Sequence, residues 1–135
     1  MNNNFLYVAN YLANPDLLWT MLIKTKKEIH EHILDDFDHR HLEPEKIYEV
    51  IGIDYDSYRI IDEIGEPILY PKYLFDIIDP SIPESWIREE HETDHYYIDP
   101  PELSAPGFYE DYFDKDAKAR AIFEQFLIKK KKVDK

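Results

Sequence analysis

The chain contains no cysteine, so neither disulfides nor thiolate chemistry contribute to its fold or function. Its three glycines, Gly52, Gly65 and Gly107, stand far apart, which excludes a glycine-rich phosphate loop. No run approaches the ~20 apolar residues that a membrane span requires. The opening MNNNFLYVANYLANPD has neither the basic start nor the apolar run of a signal peptide. Together these absences predict a cytoplasmic protein with no membrane association. Ser57, Ser81, Ser85 and Ser104 sit in no nucleophile-like motif, and acids are too abundant for any pair to be singled out as acid and base. The expectation is a protein that is not an enzyme and needs no cofactor.

Basic residues are also scarce, 16 against 29 acids, for a formal net charge of −13. The excess is uneven. Residues 80–116 carry eleven acids against Arg88 and Lys115, whereas residues 117–135 carry seven bases against Glu124 and Asp134. Such a surface repels nucleic-acid phosphates, which need a cationic footprint. It attracts a basic protein partner and speeds its encounter. The alternative reading of the same charge is solubility alone.

With 135 residues, 44% hydrophobic content and eleven tyrosines, the chain is long and apolar enough for one folded domain. Ile47–Asp54 is rich in β-branched and aromatic residues and reads as a strand, with Tyr48 and Val50 on one face. Gly52 inside that run marks a bulge or a close approach. Asp54–Ser57 supplies turn chemistry, and Tyr58–Asp62 is a second strand with Tyr58 and Ile60 on one face. Gly65 offers the positive φ that closes the next turn. Pro67 opens a third strand, Pro71–Phe75 reads as a single helical turn, and Asp76–Asp79 as a short last strand.

These residues are similar to a pattern, KIYEV…YRIIDE.GE..LYP..LF.I, found in small bacterial and phage proteins with an SH3-like barrel. The resemblance runs from Lys46 to Ile78, about a quarter of the chain. It implies a fold and no particular activity. Size and acidity also resemble, more loosely, the immunity proteins of polymorphic toxins. The fold expectation is therefore mainly β with α: a small SH3-like barrel with an N-terminal arm and a C-terminal amphipathic helix. One domain spans 1–135, divided into an arm (1–18), the barrel (19–79), an acidic aromatic wrap (80–113) and the helix (114–132).

Phe5, Val8, Ala9 and Leu12 recur at helical spacing in the arm. Residues 17–34 read as helix in isolation. With the barrel downstream, Trp19–Thr25 supplies the strand that closure otherwise lacks, and the strand reading is favoured. His30, His32, His39 and His41 form a dense cluster of candidate metal ligands, but their spacing matches no zinc signature. A polar loop carrying histidines is the preferred account, and a metal-dependent protein or enzyme the alternative. Trp86 is assigned to core packing, Arg88–Asp94 to a solvated acidic loop and Tyr96–Ile98 to a strand ended by Pro100-Pro101. Those prolines are expected to lie against Tyr58, Tyr70 or Tyr73 and block an aromatic groove. Phe108 and Tyr112 meet at helical spacing, and Ala119, Ile122, Phe123, Phe126 and Leu127 form an amphipathic stripe behind an Asp114 or Asp116 cap. Lys129–Lys132 is expected to fray. Tyrosines interleaved with acids make good contact surface, so the predicted partner-binding residues are Tyr96, Tyr97, Glu102, Tyr109, Glu110, Asp111 and Tyr112, facing a basic protein.

Overall fold

The computed structural model describes residues 21–29, 41–91 and 95–134. The expected arm, together with His30, His32 and His39, lies outside the described residues. Among the described residues, eight strands form two antiparallel sheets, followed by two helices. The strands are β1 Leu22–Thr25, β2 Ile47–Glu49, β3 Gly52–Asp54, β4 Ser57–Ile61, β5 Pro67–Pro71, β6 Phe75–Asp79, β7 Ile87–Glu90 and β8 Tyr96–Asp99. The helices are α1 Phe108–Phe113 and α2 Ala117–Asp134. The first sheet has the order β2-β1-β6, the second β5-β4-β3-β8-β7. The chain is mainly β with a C-terminal helix, as expected, and β1 bears out the strand reading over Leu22–Thr25.

The run Ile47–Asp54 is two strands rather than one. Val50 N donates to Met21 O at 2.9 Å in the first sheet, and Ile51 N donates to Arg59 O at 2.8 Å in the second. The chain changes sheets between these two buried residues. It returns through the 3-10 turn Lys72–Leu74, which carries β5 of the second sheet into β6 of the first. Between the sheets lies the larger core, with Ile23, Tyr48, Val50, Ile53, Tyr58, Ile60, Leu74, Phe75 and Ile98, and with Trp86 packed against it. The inward faces are those the two-residue alternation predicts. The β4–β5 turn is fixed by Asp62, a buried carboxylate that accepts from Ile64 N, Glu66 N and the Tyr70 hydroxyl at 3.2, 3.1 and 2.8 Å. Gly65 there has φ 83°, as its turn requires.

A further sequence expectation changes. Arg88–Glu90 is not loop: β7 pairs with β8 through Arg88↔Ile98 and Glu89↔Tyr97, as the open edge of the second sheet. All four of its residues are exposed, so no apolar alternation announces it. Of the two prolines expected to lie against barrel aromatics, Pro100 is buried, whereas Pro101 is exposed and opens a 3-10 turn to Leu103; Tyr58 and Tyr70 face the core between the sheets.

A second core joins the helices to the outer face of the five-stranded sheet. It contains Ile51, Leu103, Phe108, Tyr112, Ala119, Phe123 and Phe126, with Ile61, Ile122 and Leu127 at its margin. Asp116 caps α2, its Oδ2 accepting from Ala119 N at 2.9 Å. The lysine run is not a free tail, because Lys130 pairs with Glu49 of β2 at 2.6 Å and both side chains are largely covered. Replacing Phe123 with Ala is expected to cost about 3–5 kcal/mol in urea unfolding. A loss below about 1 kcal/mol would show that α2 is not docked.

Candidate functional site

The strand registers place Arg59 and Asp99 in one row across the outer face of the five-stranded sheet. Leu69 stands opposite Arg59, Arg59 opposite Gly52, and Asp99 opposite Ile87. The neighbouring row on this face holds Ser57, Asp54, Tyr97 and Glu89, in strand order. Ile61 at one end of this face is covered by the helices. The rest is open, overhung by the segment from Leu103 to Glu110, and forms a groove of about 420 Å³. Asp54, Glu89, Asp99 and Glu110 line it, with Arg59, His91, Tyr97 and Tyr109.

Arg59 lies on the floor. Its guanidinium carbon sits 3.6 Å from the centre of the Tyr109 ring, and its Nη1 donates to Pro67 O at 2.9 Å. That stacking is a strong cation–π geometry in a desolvated place. Gly52 explains how a carboxylate comes beside it. A Cβ on residue 52 would fall 2.5 Å from Asp99 Oδ1, so the Asp99 side chain occupies the space that glycine leaves. The expected close approach at Gly52 is thus of a side chain, from the end of β8, far along the sequence.

Burial dominates the electrostatics. It raises Asp99 from the usual carboxylate value to about 6, against the lowering effect of Arg59 and with added repulsion from Asp54 and Glu89. Asp54 is raised by burial too, opposed by His95 and Arg59. Burial lowers Arg59, and the groups beside it only partly offset this. It raises the Tyr109 phenol, whose hydroxyl is buried without a hydrogen-bond partner among the described residues. Ionisable groups shifted by burial and by one another in a cleft mark it as a candidate functional site.

Three of the sequence-predicted residues, Tyr97, Tyr109 and Glu110, line this groove. Tyr96 lies on the other face, packed against the inner core, where its hydroxyl accepts from Lys72 Nζ at 3.0 Å. Tyr112 is buried under α2 with Arg120 4.3 Å from its ring. Glu102 lines a separate shallow hollow beside Ile122 and Phe126, and Asp111 is exposed away from both. Gly52, Asp54, Arg59, Glu89 and Asp99 were not singled out by sequence as site residues. One signal was available: Arg59 is the single charge inside the apolar strand Tyr58-Arg59-Ile60-Ile61, on the face opposite Tyr58 and Ile60. Among the described residues no group of three His, Asp or Glu side chains is arranged to hold a metal ion. His41 accepts a backbone bond from Glu63 N at 2.9 Å through its carbonyl. Comparison with known proteins finds no matching family, no matching curated protein and no matching solved structure.

Because the folded protein holds the Asp99 proton more tightly than the unfolded chain, this residue's contribution to stability is full below about pH 4. It is lost as pH rises through about 6. Asp99→Asn is therefore expected to be more stable than wild type above pH 7, by at most about 3 kcal/mol and nearer 1–2 kcal/mol with solvent screening. The two should converge at pH 4. Gly52→Ala is expected to cost about 1–3 kcal/mol, much of it recovered in an Asp99→Ala background. Denaturant midpoints across pH check both, and equal costs in the two backgrounds would contradict the contact.

Proposed function

We propose that the protein is an acidic protein-binding module, of the immunity or inhibitor kind, which takes a basic segment of its partner in the groove on the outer sheet face. The observation that carries this reading is the composition of the groove among the described residues: four carboxylates, from Asp54, Glu89, Asp99 and Glu110, against the single arginine Arg59. The net charge of −13 adds a long-range field of the same sign. Tyr97 and Tyr109 supply the rigid aromatic surface that suits a contact site. We further read the two sheets as an SH3-like barrel. The two crossings between them, at Val50–Ile51 and through the Lys72–Leu74 turn, support that reading.

Titration of the labelled protein with an arginine-rich peptide tests the reading. Amide resonances of β3, β8 and the Leu103–Glu110 segment are expected to shift. Affinity should fall with salt, as the Debye length drops from about 10 Å at 0.1 M to about 3 Å at 1 M. Neutralising Asp54, Glu89 and Glu110 together should weaken binding at least about tenfold. Neutralising the off-groove acids Asp76, Asp79 and Glu84 should change it less than about twofold. If the two triple variants behave alike, or binding ignores salt, the groove is not the binding site.

A further inference from the structure

The groove holds one group that a site for cations alone has no use for. A role for that group deepens the reading of the groove as a seat for a basic partner, and rests on it. Arg59 carries five N–H donors in a planar fork. One bond from Nη1 to Pro67 O is the guanidinium's hydrogen bond, and it makes no ion pair within 4 Å among the described residues. Asp54 and Asp99 act on it electrostatically without closing onto it. The buried side-chain atoms without a partner among the described residues are Glu66 Oε2 and the Tyr109 hydroxyl. The Nε and Nη2 groups of Arg59 are therefore not sealed, and Arg59 is a lining residue of the groove. The Tyr109 ring covers one face of the guanidinium at 3.6 Å, so approach to the donors is in their own plane. A planar fork presented edge-on is the complement of a carboxylate.

The cation side of the groove lies along the same sheet. Three strand steps separate β4, which bears Arg59, from β7, which bears Glu89. At ~4.8 Å per step this is roughly 14 Å between backbones, with Asp54 and Asp99 between them. A ligand with a carboxylate at one end and a cation at the end of a long side chain matches this layout. The groove's volume of about 420 Å³ falls within the roughly 300–1,000 Å³ of small-ligand sites.

We propose that the groove binds an arginine or lysine residue whose own α-carboxylate is free, the carboxylate on Arg59 and the side-chain cation among Asp54, Glu89 and Asp99. Two sources carry this chemistry: a free basic amino acid, and a basic residue at the end of a protein chain.

Calorimetric titration of the full chain with the tripeptide Ala-Ala-Arg, its C-terminal amide and free arginine tests the inference. The free-carboxylate tripeptide is expected to bind at least about tenfold more tightly than its amide. In Arg59→Gln that ratio should fall below about twofold. The ratio is internal to each variant, so a general loss of affinity does not obscure it. If Arg59→Gln does not fold, Arg59→Lys keeps the charge but loses the fork, and its ratio should fall between the two. Free arginine binding as tightly as the tripeptide supports the proposal with a small-molecule source. Free arginine binding at least about tenfold more weakly than the tripeptide supports it with a chain-end source. Acid and amide binding equally to wild type overturns the carboxylate seat and leaves the basic-partner reading standing. No binding by any of the three, nor by the arginine-rich peptide, overturns both.

Discussion

Arg59 on the Tyr109 ring is the contact on which the outer half of the molecule depends. A guanidinium removed from water on the floor of a groove is costly unless something takes the place of the lost solvent. Here the ring face at 3.6 Å and the Pro67 carbonyl at 2.9 Å do so in part. The same contact ties α1, which bears Tyr109, to β4, an inner strand of the sheet. It therefore sets where the Leu103–Glu110 segment overhangs the sheet, and with it the depth of the groove. Burial of Phe108, Tyr112 and Phe123 beside it secures the helices but does not by itself decide that a groove remains.

The groove also depends on a second constraint, the crossing of the chain between sheets at Val50–Ile51. That crossing places Gly52 at the start of β3 with an open space above it, and Asp99 fills the space. The carboxylate is thereby held in a place where burial works against its charge. Stability given up at one side chain in this way is common where a protein keeps a site ready for a ligand.

Much of the fold was legible because its signals are local. The turns at Asp54–Ser57 and Gly65, the helical turn after Pro71 and the stripe of Ala119, Phe123 and Phe126 are each written in fewer than ten consecutive residues. β7 was not legible, since an exposed edge strand of Ile87-Arg88-Glu89-Glu90 has no buried face to impose a pattern. The groove was legible only in fragments. Tyr97, Tyr109 and Glu110 stood out as aromatics and acids close in sequence, whereas Asp54 and Arg59 join them through the pairing of β3 with β8. Pairing between residues 53 and 98 is a tertiary fact, and no local propensity encodes it. Tyr96 and Tyr97 show the limit in miniature: adjacent in sequence, they face opposite sides of one strand, and only Tyr97 reaches the groove.

The central claim is that Asp99, seated over Gly52, belongs to a desolvated polar groove with Arg59 and Tyr109. Following the Asp99 carboxyl carbon by NMR as pH is varied tests it most directly. The expected result is a midpoint at about 6, with the Arg59 and Tyr109 side-chain resonances moving in step. A midpoint at the ordinary carboxylate value of about 4, with those two side chains unmoved, would contradict it.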